Sequence, residues 1–150
     1  MATRFNDTTP QRKITMNYET TDTSIMHTAE IVNGPGPRFM STSSLTGDDV
    51  YNLQDEDLGD VKDFMLDMHT GKVAYAVLSF GGFLGMGEKL FAVPWSALTL
   101  DPENKRMILN VSKEHLENAP GFDSDNWPDM ADPVWADGIR TYYGVTSSPY

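Results

Sequence analysis

One stretch limits what this chain can become: residues 72–95, KVAYAVLSFGGFLGMGEKLFAVPW. Val73, Tyr75 and Val77 alternate with Ala74, Ala76 and Leu78, so apolar side chains fall on both faces of a period-2 strand. Such a strand has to be covered on both sides, which suits the inside of a small closed sheet. Tyr75 and Leu78 are therefore expected to be buried on opposite faces. A glycine-dense loop follows, with Phe83, Leu84 and Met86 set among Gly81, Gly82, Gly85 and Gly87. A second apolar run, residues 90–93, stops at Pro94 and Trp95. The pattern predicts a β-hairpin with an unusually apolar connection.

The punctuation on either side extends this hairpin into a sheet. Residues 49–53 read as a short strand, Gln54-Asp55-Glu56-Asp57 as a polar turn, and residues 58–68 as a longer strand. His69-Thr70-Gly71 turns the chain into the central strand. Beyond Trp95, residues 97–100 and 107–111 pair around Asp101-Pro102-Glu103-Asn104. Short, regularly spaced and mostly antiparallel strands predict a compact β-barrel or sandwich rather than a βαβ arrangement. Ser112 is an N-cap candidate for a short helix, 113–118, stopped by Pro120 and Gly121. A second helix is framed by Asp132 as N-cap, Pro133 at its first position and Gly144 as its stop. On it Trp135, Ile139, Tyr142 and Tyr143 form one stripe.

The N-terminal segment is of a different character. It is rich in Thr, Asn, Asp and Gly, and only Ile14, Met16 and Tyr18 alternate with polar residues, as a short strand on a sheet edge or against another subunit would. So little apolar surface does not offset the entropy of ordering, so a flexible arm is expected unless a partner orders it. Gly34-Pro35-Gly36-Pro37 reads as the linker out of it. The expected organisation is an arm at 1–40, a barrel at 41–119 and an aromatic helical extension at 120–150.

Composition excludes several function classes. A net charge of −11 argues against nucleic acid and against anionic membrane surfaces, because both need clustered Lys and Arg. Without cysteine there is no disulfide, thiolate nucleophile or Cys-based zinc site. The N-terminus lacks the apolar run of a secretory signal, and no window approaches the ~20 apolar residues of a membrane helix. A cytoplasmic location is expected.

Candidate chemistry is thin. The loop glycines would have to open a helix to hold a phosphate, and a strand follows them instead, so they read as turn and bulge residues. Asp123, Asp125 and Asp129 cluster, but a calcium loop of the EF-hand kind would need an oxygen ligand in place of Trp127, then a glycine, and a Glu further on. A solvated acidic loop without metal is the expectation. His27, His69 and His115 are scattered and read as surface residues. Nothing assembles a nucleophile, a base and an oxyanion donor, so no catalytic residue, no cofactor and no enzyme activity is expected.

Apolar material remains in two places. Phe83, Leu84 and Met86 stand at a hairpin tip, where an apolar patch reads as a contact surface. Trp127, Trp135, Ile139, Tyr142 and Tyr143 form a C-terminal set that is either a second contact surface or the lid of the barrel. Both point to a non-catalytic protein-interaction module that associates with itself. The alternative is a regulatory protein in which Trp95, Trp127 and Trp135 line a pocket for a small molecule.

Asp49-Val50-Tyr51-Asn52, Leu58-Gly59-Asp60-Val61-Lys62-Asp63, the GKVAYAVLSFGG stretch from Gly71 and Phe91-Ala92-Val93-Pro94-Trp95 together resemble the PRC-barrel family. The resemblance covers about residues 41–112. The tail, from Gly121-Phe122-Asp123 through Asn126-Trp127-Pro128-Asp129-Met130 to Tyr142-Tyr143-Gly144, is similar to the extension of stand-alone bacterial members often described as stress-related. What the resemblance implies is a small antiparallel β-barrel used as an interaction module, with no catalytic residue to carry over. The photosynthetic reaction-centre member would carry a membrane helix before the barrel, and a ribosome maturation factor a second, N-terminal barrel. This sequence offers neither, so neither specialised function is carried over, and the net charge of −11 disfavours the third reading, an RNA-processing accessory.

Overall fold

The structure, a computed structural model, describes residues 36–81 and 88–146. The strand candidate at Ile14, Met16 and Tyr18, nearly all of the arm, and Phe83, Leu84 and Met86 lie outside the described residues. Six strands form one sheet: β1 (Asp49–Tyr51), β2 (Asp57–Asp67), β3 (Lys72–Phe80), β4 (Lys89–Pro94), β5 (Leu98–Asp101) and β6 (Arg106–Leu109). Their order is β4-β3-β2-β1-β6-β5, curled into a half-barrel. The chain is mainly β with a short C-terminal helix, as expected from its sequence.

The hairpins β2–β3, β3–β4 and β5–β6 are antiparallel. The exception is β1 with β6, which run parallel with Val50 opposite Met107. Parallel neighbours need a long connection, and here the rest of the sheet supplies it. The register of β2 slips between Val61 and Asp63 and again between Met65 and Leu66. Bulges of this kind bend a strand and increase its twist, and so help curl the sheet. At the start of β2, Gly59 has φ +98°, and a Cβ there would run into the Ser79 carbonyl on β3. Only glycine fits that crossing.

β3 is an interior strand, paired with β2 on one side and β4 on the other rather than central in the sheet, with Tyr75 at 1% and Leu78 at 0% exposure. One core gathers Val50, Leu58, Val61, Phe91, Val93, Met107 and Leu109 around it. Strand ends differ from expectation where local bonds win. β1 stops at Tyr51 because Asn52 closes a turn on Glu56, its N–H donating to the Glu56 carbonyl at 3.1 Å. β5 begins one residue late because Trp95–Ala97 forms a single 3-10 turn.

Among the described residues, three short helices accompany the sheet. α1 (Thr42–Leu45) has no sequence forecast; the Ser41 side chain caps it and Leu45 is buried. α2 (Lys113–Glu117) starts at Ser112, whose Oγ accepts from the His115 N–H at 3.0 Å. α3 (Pro133–Tyr142) starts at Asp132, which accepts from the Val134 N–H at 3.0 Å, and is followed by Gly144 at φ +72°. Between α2 and α3 the chain crosses the outer edge of β4, where Leu90 and Phe122 exchange two backbone hydrogen bonds of 2.9 Å. Among the described residues no helix is long and apolar enough to cross a membrane.

Candidate interaction surfaces

The stripe on α3 faces inward. Ile139 and Tyr143 belong to the core, and the Trp135 ring meets Tyr75 edge-on at 5.4 Å. Tyr142 is half-buried and ties α3 to α2 reciprocally: its hydroxyl donates to the His115 carbonyl at 2.6 Å, and the His115 Nε2–H donates to the Tyr142 carbonyl at 3.0 Å. The two rings stack with centroids 4.1 Å apart. Four of the C-terminal candidates thus cover the chain's own sheet, and Ile139 and Tyr143 are closed to any partner in this arrangement. Burial also pushes the Tyr143 phenol above its ordinary range. Trp127 is the outward member, 40% exposed, with its indole N–H donating to the Ser124 carbonyl and its ring against Phe122.

His115 corrects a sequence expectation. It is not a free surface histidine but the clasp that holds the C-terminal helix. His69 is exposed on the β2–β3 turn, as expected. The tryptophans of the small-molecule reading go to different neighbours: Trp95 to Phe64, Trp127 to Phe122 and Trp135 to Tyr75.

Two open features stand out on the sheet. β5 is an edge strand, paired with β6 on one side and with no strand on the other among the described residues. Beside it runs an apolar groove of about 430 Å³, with Met40, Phe64, Trp95, Leu98, Leu100 and Met107 in its walls. Phe39 stands at the same groove and is 68% exposed. The chain enters there too: Gly36 abuts Leu100, and a Cβ on it would overlap the Leu100 side chain. A second depression, of about 400 Å³, is lined by Met65, Met68, His69 and Met130 at the far end of β2.

The start of β1 is acidic. Asp49 lies opposite Asp60, and Asp48 sits next to it with Oδ2 buried and unbonded. Burial first, and then the Asp49 charge, raise the Asp48 carboxyl to about 6. The same two causes raise Asp60. Among the described residues no three His, Asp or Glu side chains are grouped to hold a metal ion.

Among the described residues Asn52 is the one buried polar residue, a role that its sequence context does not announce. Its Nδ2 donates to Glu56 Oε1 at 2.7 Å and to the Val111 carbonyl at 3.0 Å. Its Oδ1 accepts from the N–H groups of Gln54 at 3.0 Å and Glu56 at 2.9 Å. The buried amide thus shapes the β1–β2 turn and pins it to the chain leaving β6. Polar residues closing a turn on their own backbone are a sequence signal, but the contact to Val111 is not.

No curated protein matches the chain. A family model for the PRC-barrel domain matches residues 37–116, from the wall of the groove through all six strands to α2. That domain type points to a protein-interaction module in general. With more than half of its length inside that match, the chain belongs to the PRC-barrel family.

Proposed function

We propose that this protein is a non-catalytic interaction module that joins copies of itself through the connection between β3 and β4. The observation that carries the reading is the hairpin beneath that connection. The β3–β4 ladder ends at Phe80 opposite Lys89, and the sequence between them holds Phe83, Leu84 and Met86. Its returning end is fixed, because Glu88 accepts from Ser79 at 2.9 Å and pairs with Lys62 at 3.0 Å. Burying three such side chains contributes ~1.5–3 kcal/mol each before the cost of association is subtracted. The net charge of −11 makes copies repel at long range, so salt should strengthen the contact. With α3 spent on its own sheet, Trp127 is the C-terminal side chain left to extend the surface.

The test is Leu84→Asp combined with Met86→Asp, followed by sedimentation at low and high salt. The wild-type chain should be heavier than its 16.7 kDa monomer and the double variant should stay at that mass. A double variant with the wild-type mass at both salts would remove this connection from the contact.

A further inference from the structure

The groove beside β5 and the open edge of that strand have a matching piece in the same chain. Along β5, Leu98, Thr99 and Leu100 all border the groove, the two leucines half-buried and Thr99 between them exposed. Ile14-Thr15-Met16 repeats this apolar–Thr–apolar pattern, and it belongs to the one alternating run among the first 35 residues. Laid beside β5, it would put Ile14 and Met16 on the groove side and Thr15 next to Thr99, a favourable cross-strand pair.

Charge and tether agree with that placement. Residues 1–18 carry Arg4, Arg12 and Lys13 against Asp7, a net charge of about +2 by the usual side-chain pKa values. The rest of the chain holds the other 21 of the 22 acidic residues but only 8 of the 11 basic ones. The N-terminal segment joins the described structure at Gly36, which abuts Leu100 at the groove itself. Between Tyr18 and Gly36 the linking residues reach up to ~55 Å when extended, several times the length of β5. A tether of this kind holds its end at an effective concentration of order mM, far above the protein's own concentration in dilute solution.

We propose that residues 12–18 lie along β5 of their own chain as an added strand, with Ile14 and Met16 filling the groove. This surface is separate from the β3–β4 connection, and the docked strand covers an edge that would otherwise invite pairing with another chain.

Hydrogen exchange on the full chain tests it. In the wild type, amides of residues 14–18 should exchange at least ~10-fold more slowly than an unstructured chain, and Ile14→Asp with Met16→Asp should abolish that protection. The same variant should speed exchange in β5 and leave β3 unchanged. Unprotected arm amides in the wild type, or protection that survives the double variant, would overturn the proposal. The chain has no cysteine, so Thr15→Cys with Thr99→Cys supplies a second readout. On oxidation at micromolar concentration it should give a crosslink within one chain. A crosslink between chains would show a second copy's arm in the groove and overturn the same-chain assignment.

Discussion

Asn52 offers the sharpest energetic test of the fold, because one buried amide holds four partners. Replacing it with Ala removes two donated and two accepted hydrogen bonds. At ~1 kcal/mol each the loss would be ~4 kcal/mol. Gln54 and Glu56 are exposed, so water takes over part of their bonding, and ~2–3 kcal/mol is the expected destabilisation. Asn52→Asp is more informative. The carboxylate keeps both accepted bonds but faces the Glu56 carboxylate and the Val111 carbonyl where the amide had donated. Burial and Glu56 should raise its pKa in the folded state above the unfolded value of ~3.9. A raised acid binds more protons when folded, so its contribution is fully present below the unfolded pKa and is lost as pH rises through the folded one. The deficit relative to wild type should therefore widen between pH 4 and pH 8, towards the ~3–5 kcal/mol of an unpaired buried charge. Urea unfolding followed by tryptophan fluorescence reads both variants. An Ala variant within ~0.5 kcal/mol of wild type, or an Asp deficit that narrows as pH rises, would refute the role assigned to this amide.

Asp48 behaves with the same sign in the native protein: its carboxyl is raised from 3.8 to about 6, so the strain it imposes builds up as pH rises between these values and is fully present above the higher one. Asp48→Asn should leave stability unchanged near pH 4 and raise it at pH 8. The full conversion is up to ~3 kcal/mol, and solvent screening of the half-buried carboxylate brings it to ~1 kcal/mol, read by the urea midpoint. Gly59→Ala should cost at least ~2 kcal/mol in the same assay, since φ +98° and the Ser79 carbonyl both exclude a Cβ. Tyr142→Phe keeps the ring stack on His115 and loses only the 2.6 Å bond to its carbonyl, for ~0.5–1.5 kcal/mol and faster amide exchange in α3.

Local patterns carried most of the fold. The double-sided apolar run at β3, the caps at Ser112 and Asp132 and the stop at Gly144 all act within a few residues, so the sequence displays them directly. Long-range pairings left weaker traces. The parallel contact of β1 with β6, the seam between Leu90 and Phe122, and the reciprocal clasp of His115 with Tyr142 join segments that nothing local links. The stripe on α3 shows the limit clearly. An amphipathic helix announces that one face will be buried, but the spacing of Trp135, Ile139 and Tyr143 is the same whether it docks on its own sheet or on another chain's. Here it docks on its own, and four of the C-terminal candidate side chains become core or clasp.

Self-association is the claim on which the functional reading turns, and the mass of the full-length wild-type chain as salt is raised tests it most directly. Light scattering at a fixed micromolar concentration should give a mass above 16.7 kDa that rises from low to high salt, as screening removes the repulsion of a −11 chain and leaves the apolar contact. A mass of 16.7 kDa at every salt concentration would contradict the account.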